Sequence, residues 1–228
     1  MLRDAGHDHL VFLLDVDNTL LDNDLFSADL GDHLEQLFGP AERARYWRIF
    51  CDRRDRLGLA DYLGTLQSFR SGLDDHPELL QVYEYLLDYP FAALVYPDAL
   101  AAIAHVGEFA KTVVLSDGDV VFQPRKVRRS GLWDAVAGRV LIYLHKERVM
   151  DHVQGRFPAS HYVMVDDKPN LLAAMKAALG TKLTTVFVRQ GHYALDAQAN
   201  TYLPPPDRVI ERIGDLTTLN LTDFQVRS

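Results

Sequence analysis

Five short runs of uninterrupted apolar residues punctuate the chain, at 10–14, 112–115, 140–143, 162–165 and 184–188. Continuous rather than alternating hydrophobicity marks strands covered on both faces, as in a parallel sheet. Between most of these runs the apolar positions recur at three- and four-residue intervals. That spacing predicts helices over 97–109, 120–131, 145–154 and 169–180. Strands alternating with helices predict right-handed βαβ crossovers, and so an α/β fold: a doubly wound, Rossmann-like parallel sheet with helices on both faces.

The first interval breaks this rhythm. Residues 15–111 separate the first two runs, far more than a crossover needs. Leu, Phe, Tyr and Trp at helical spacing predict helices over 27–38, 41–57, 60–71 and 78–88, with breaks at Gly39-Pro40, Gly58, Gly72 and Pro77. The expected organisation is an α/β core of residues 1–22 and 92–228 carrying an inserted α-helical bundle, a cap, over 23–91. Segments 22–27 and 90–96 are the expected hinges. Pro204-Pro205-Pro206 reads as a stiff extended loop, and 207–228 as a last helix or strand packing back on the core.

Composition narrows the setting. Hydrophobic residues are 48% and charged residues 25%, the balance of a globular protein with ample core. A net charge of −8 argues against a general nucleic-acid or membrane-surface binder. No apolar run approaches the roughly 20 residues that span a bilayer. Residues 1–9 are polar and acidic, unlike a signal peptide. The single cysteine, Cys51, excludes an intrachain disulfide, fits a reducing compartment and is expected to pack between helices. Cytoplasm is the expected location, with neither membrane nor nucleic acid as partner.

Ligands of open parallel sheets bind beyond the carboxyl ends of the strands. The residues that follow each apolar run are therefore informative: Asp15 and Asp17, then Ser116, Asp117 and Gly118, then Lys146, then Asp166, Asp167 and Lys168. Carboxylates converging on one edge repel each other unless a cation neutralises them. The cluster offers hard oxygens and no Cys or His, which selects Mg²⁺ over zinc or copper. Carboxylates with Mg²⁺ and a lysine suit phosphate handling, because cationic groups offset charge on the transferred group.

The segment Asp15-Val16-Asp17-Asn18-Thr19-Leu20 resembles the first motif of the haloacid dehalogenase-like superfamily, an Asp-x-Asp-x-Thr segment after a hydrophobic strand. Ser116, Lys146 and Asp166-Asp167 follow in the order of its other three motifs, and the resemblance covers roughly 8–22 and 92–200. The helical insertion resembles the family's first kind of cap. The resemblance implies that Asp15 attacks phosphorus to form an aspartyl-phosphate. It implies Asp17 as acid and then base, and Ser116 with the amides around Asp117 and Gly118 as phosphate ligands. Lys146 would pair with Asp15 and the phosphate, and Thr19 would support the first-motif loop. Mg²⁺ would be held by Asp15, the Asp17 backbone carbonyl, and Asp166 and Asp167. Two departures matter: the fourth motif reads Val165-Asp166-Asp167-Lys168-Pro169, leaving open which acid ligates directly, and Arg148 rivals Lys146, which the spacing favours.

Around these residues the pattern is less specific. Arg43, Arg45, Arg48, Arg53, Arg54 and Arg56 read as a solvated helix face paired with Glu42, Asp52 and Asp55. Gln123 and Lys126 suit either the site or a helix surface, and His192-Tyr193 either the site or a loop. The expected activity is Mg²⁺-dependent hydrolysis of a small phosphomonoester of nucleotide or sugar-phosphate type, with that small phosphorylated substrate as partner. Haloacid dehalogenation, which needs no acid at Asp17, and phosphomutase chemistry are the enzymatic alternatives. A non-catalytic scaffold is the alternative of another class.

Overall fold

The structure, a computed structural model, describes residues 9–73, 75–194 and 201–224; the segment 1–9, read above as unlike a signal peptide, lies outside them but for His9. Six parallel strands form one sheet: β1 (Leu10–Leu14), β2 (Lys111–Asp117), β3 (Val140–Tyr143), β4 (His161–Asp166), β5 (Leu183–Val188) and β6 (Arg208–Ile210). Their order, β3-β2-β1-β4-β5-β6, reverses direction between β1 and β4, the place where such sheets bind ligands. The five predicted strands are present, and the tail contributes the sixth.

β1 shows why the apolar runs are continuous. Leu10, Phe12 and Leu14 enter one hydrophobic cluster while Val11 and Leu13 enter the other, on the opposite face. The second cluster is closed by Met150 and Val153 of α8 (Met150–Arg156) and by Leu172 and Met175 of α9 (Pro169–Leu179). The first is closed by α5 (Ala99–Val106) and by Ile213, Leu216 and Phe224 of the tail. Helix α6 (Phe122–Arg129) and the short α7 (Leu132–Ala135) connect β2 to β3.

Four helices fill the long interval: α1 (Asn23–Phe38), α2 (Pro40–Leu57), α3 (Tyr62–Phe69) and α4 (Glu78–Asp88). α1 starts four residues earlier than its apolar spacing predicts, because Asp22 caps it: Leu25 N–H donates to Asp22 Oδ1 at 2.9 Å. Residues 23–27 are therefore helix and not hinge. The helix expected over 145–154 is split into a 3₁₀ turn at Lys146–Arg148 followed by α8. There the amides of Arg148 and Val149 donate to the carbonyls three residues back, His145 and Lys146, at 3.1 and 3.4 Å, and the amide of Lys146 donates to Asp117 Oδ1 at 2.7 Å.

The four-helix insertion leaves and rejoins the sheet through two segments paired side by side. Asp22 N–H donates to the Leu94 carbonyl at 2.8 Å and Tyr96 N–H to the Leu20 carbonyl at 3.0 Å, with Leu21 and Val95 bridged antiparallel. Just upstream, the amides of Leu20 and Leu21 donate to Val16 O at 2.9 and 3.0 Å, folding the Asp17 loop tightly onto the same ribbon. A short helix, α10 (Gly191–Ala194), follows β5, and α11 (Leu221–Phe224) ends the described chain.

Candidate active site

Register brings the acids together. Leu14 is opposite Val165, so Asp15 and Asp166 emerge side by side at the switch point, and Asp15 N–H donates to Val165 O at 3.0 Å. Asp15, Asp166 and Asp167 are buried, and their carboxylate oxygens lie within 4.8 Å of one another. On the other side of β1, Asp117 at the end of β2 receives the Lys146 amide, which turns the Lys146 side chain inward. That side chain is fully buried, with Nζ hydrogen-bonded to Asp15 Oδ1 and 2.6 Å from Asp166 Oδ2. Its rival Arg148 has a side chain that is 71% exposed and pairs with Glu147, so Lys146 holds the cationic position.

Electrostatics follow from burial. Desolvation raises the Asp15 carboxyl to about 7 against the pull of Lys146, with Asp166 adding to the rise. Asp167 is pushed well up by burial and by Asp166, and Asp117 is raised by burial. Burial alone would push the Lys146 and Lys168 ammonium groups down. The surrounding carboxylates, Asp15 first among them, hold both above the usual lysine value.

Four carboxylates (Asp15, Asp117, Asp166, Asp167) face two ammonium groups (Lys146, Lys168), leaving two negative charges uncompensated when all are ionised. Among the described residues, Asp15 Oδ2 and both oxygens of Asp167 are buried without a hydrogen-bond partner; Asp166 Oδ2 has its ion pair to Lys146 but no aligned hydrogen bond. Buried acceptors of this kind are costly unless something pairs with them. A hard divalent cation fits the charge, the all-oxygen donors and the spacing, because ligands across one Mg²⁺ stand about 4 Å apart.

Asp17 stands apart from this trio. Its Oδ1 receives Lys126 Nζ at 2.7 Å and its Oδ2 receives Gln123 Nε2 at 3.4 Å. The same amide donates to Ser116 Oγ at 3.0 Å, so Ser116 is at the site but already engaged. Gly118 differs from expectation: its amide donates to Tyr143 O at 2.8 Å and is no free phosphate donor. Its role is spacing, because a Cβ there would meet Gln123 Cβ at 2.5 Å. Thr19 is buried with no partner for its hydroxyl among the described residues, so the loop is braced instead by Asn18. Asn18 adopts φ 59°, and its Oδ1 accepts the amides of Asn23 and Asp24 at 3.0 and 3.2 Å.

A cavity of about 630 Å³ opens over Asp17, Asp117, Asp167 and Lys168, and its far wall is formed by Trp47, Phe50, Cys51, Arg54 and Tyr62 of the helical insertion. Cys51 is exposed there and does not pack between helices. The arginine row divides: Arg45 pairs with Glu42 within α2, Arg43 reaches Asp32 and Glu35 of α1, and Arg53 reaches Asp61. His192 caps the near end, its amide donating to Asp24 Oδ2 at 2.8 Å. Asp24 is held below the usual carboxylate range by His192 and Asn18 despite the burial that pushes it up. Sequence spacing left Lys126 and Gln123 ambiguous; both are buried.

No family model matches the chain, and no curated protein does. Among solved structures, a protein of Burkholderia xenovorans LB400 assigned to the haloacid dehalogenase-like hydrolases shares 57% identity over 94% of this chain and 99% of its own, with a TM-score of 0.89. The chain belongs to the haloacid dehalogenase-like hydrolases. Two further hydrolases of the family share the fold at low identity. One, from Xanthomonas campestris, is 16% identical over 96% of this chain and 92% of its own, with a TM-score of 0.64. The other, from Bacillus subtilis and bound to magnesium, is 17% identical over 93% and 97%, with a TM-score of 0.62. Among the described residues of this haloacid dehalogenase-like hydrolase, no helix is long and apolar enough to cross a membrane.

Proposed function

We propose that this hydrolase is a phosphatase for small phosphomonoesters, of nucleotide or sugar-phosphate type, and that it works with Mg²⁺. The observation that carries the reading is the pairing of a buried, cation-seeking trio of carboxylates with a separate carboxylate, Asp17, held at the mouth of the cavity. Asp15, Asp166 and Asp167 would hold the ion, whose charge would offset that of the phosphoryl group. A magnesium-bound relative of the same fold agrees with this choice.

The protein's own groups divide the remaining work. The Asp15 carboxylate attacks phosphorus as the ester P–O bond breaks, and the departing oxygen takes its proton from Asp17. Asp17 then accepts a proton from water as the water oxygen attacks phosphorus. The bond to Asp15 breaks, and inorganic phosphate and the free carboxylate are restored. Lys146, fixed between Asp15 and Asp166, keeps Asp15 in place and offsets negative charge beside it. A carbon–halogen substrate would leave Asp17 without a task, which favours the phosphate ester. The insertion shields the cavity, and its volume suits a small substrate.

The test is phosphate release from a panel of esters with Mg²⁺, with EDTA, and with Asp15→Asn. Release is expected to need the metal and to fall at least roughly a hundredfold in the variant, as removal of a nucleophile does. Unchanged turnover by Asp15→Asn would sink the mechanism, and chloride release from a haloacid without ester hydrolysis would favour dehalogenation.

A further inference from the structure

Lys126 is fully buried, yet it lies outside the carboxylate trio. Its ammonium is ringed by Phe26, Tyr62, Phe91 and Phe122, with centroids 5.2–5.8 Å away. The four rings come from α1, from α3, from the returning linker and from α6 itself. Among the described residues, two oxygens accept from it: Asp17 Oδ1 at 2.7 Å and Asn23 Oδ1 at 2.9 Å. Asn23 is fixed in turn by its amide, which donates to Tyr62 Oη at 3.1 Å.

Aromatic faces attract an ammonium by their quadrupoles but do not replace its hydration, and a methionine of similar volume would seat there at lower cost. A charge kept in so apolar a seat is explained by what it holds. One turn earlier on α6, Gln123 reaches the other oxygen of the same carboxylate. Both Asp17 oxygens are thus pinned from one rigid helix, while its side chain remains 20% exposed and lines the cavity.

We infer that Lys126 is a positioning residue for the reaction: it fixes the orientation of the Asp17 carboxylate, from a seat that the helical insertion and the core build together. The inference rests on the phosphatase reading above. With Asp17 free to swing, proton delivery to the leaving group and proton removal from water both lose their geometry, while the attack by Asp15 does not.

The test uses the full chain with Mg²⁺ and Lys126→Met, assayed on an alkyl phosphate and on p-nitrophenyl phosphate. On the alkyl ester kcat is expected to fall about tenfold to a hundredfold, a fraction of what acid–base catalysis contributes, with KM nearly unchanged. Nitrophenolate leaves without needing a proton, so its first-turnover burst should survive while the later steady rate falls. In an Asp17→Asn background, Lys126→Met should cost nothing more. Thermal melting of Lys126→Met should stay close to the parent; if that variant does not fold, Lys126→Gln takes its place.

Wild-type kcat, an effect on KM alone, equal loss of burst and steady rate, or additive losses with Asp17→Asn would each overturn the inference. So would the failure of both replacements to fold, which would make the lysine a folding requirement. The two readings fail separately. Activity retained by Asp15→Asn removes the phosphatase mechanism, whereas Asp15→Asn and Asp17→Asn both severely slowed beside a fully active Lys126→Met removes only the role of Lys126.

Discussion

Asp15 shows how burial sets the terms on which a residue works. Its carboxyl rises from 3.8 to about 7 because desolvation outweighs the nearby Lys146. The metal-free folded protein therefore keeps a proton that the unfolded chain releases near pH 4. The stability this confers is complete below 3.8 and is lost as pH rises through about 7. A divalent cation held by Asp15 would have to displace that proton, so its binding would strengthen with pH. The rise in melting temperature caused by saturating Mg²⁺ should be larger at about pH 8 than at about pH 6; an equal rise at both would contradict this. At this scale the sequence was informative wherever a residue sits at the carboxyl end of a strand, as Asp15, Asp117, Asp166 and Asp167 do. It left Lys126 undecided between the site and a helix surface, because a lysine within the Gln123–Arg129 stretch looks like any solvated helix cation. Only the rings of Phe26, Tyr62 and Phe91, remote in sequence, make it a buried one.

At the scale of elements, α6 delivers both Gln123 and Lys126, and Gly118 sets how closely it approaches β2. Gly118→Ala would place a methyl group 2.5 Å from Gln123 Cβ, a contact that forces α6 outward. A stability loss of about 1–3 kcal/mol is expected in urea denaturation, typical of an overpacked site. A lower kcat should accompany it, because both partners of Asp17 ride on the displaced helix. Parental stability and activity together would show that the helix yields freely. The five strands of the sheet were legible because two-sided burial writes itself as an unbroken apolar run. The sixth, Arg208–Ile210, escaped because a three-residue edge strand has too few positions to make a pattern. The split between Lys146–Arg148 and α8 escaped for another reason. The amides of Arg148 and Val149 bond three residues back, to His145 and Lys146, and one such tight turn leaves no mark in the apolar spacing.

At the scale of the molecule, the insertion and the sheet share one hydrophobic cluster, continuous from Phe12 and Val163 through Phe91 and Phe26 to Leu66 and Val82. The chain should therefore unfold in a single transition, with ellipticity and aromatic fluorescence coincident. Phe26→Ala, at the junction, should cost about 3–5 kcal/mol without splitting that transition. Two separated transitions would show that the insertion is an independent unit. The paired linkers add a mechanical constraint. Because Asp22 and Tyr96 are hydrogen-bonded across to Leu94 and Leu20, the two straps form one ribbon, and a swing of the helices over the sheet would flex both together. The loop carrying Asp17 is knotted to that hinge through Val16, Leu20 and Leu21. A swing of the insertion would therefore tug the Asp17 loop with it, as a door carries its latch.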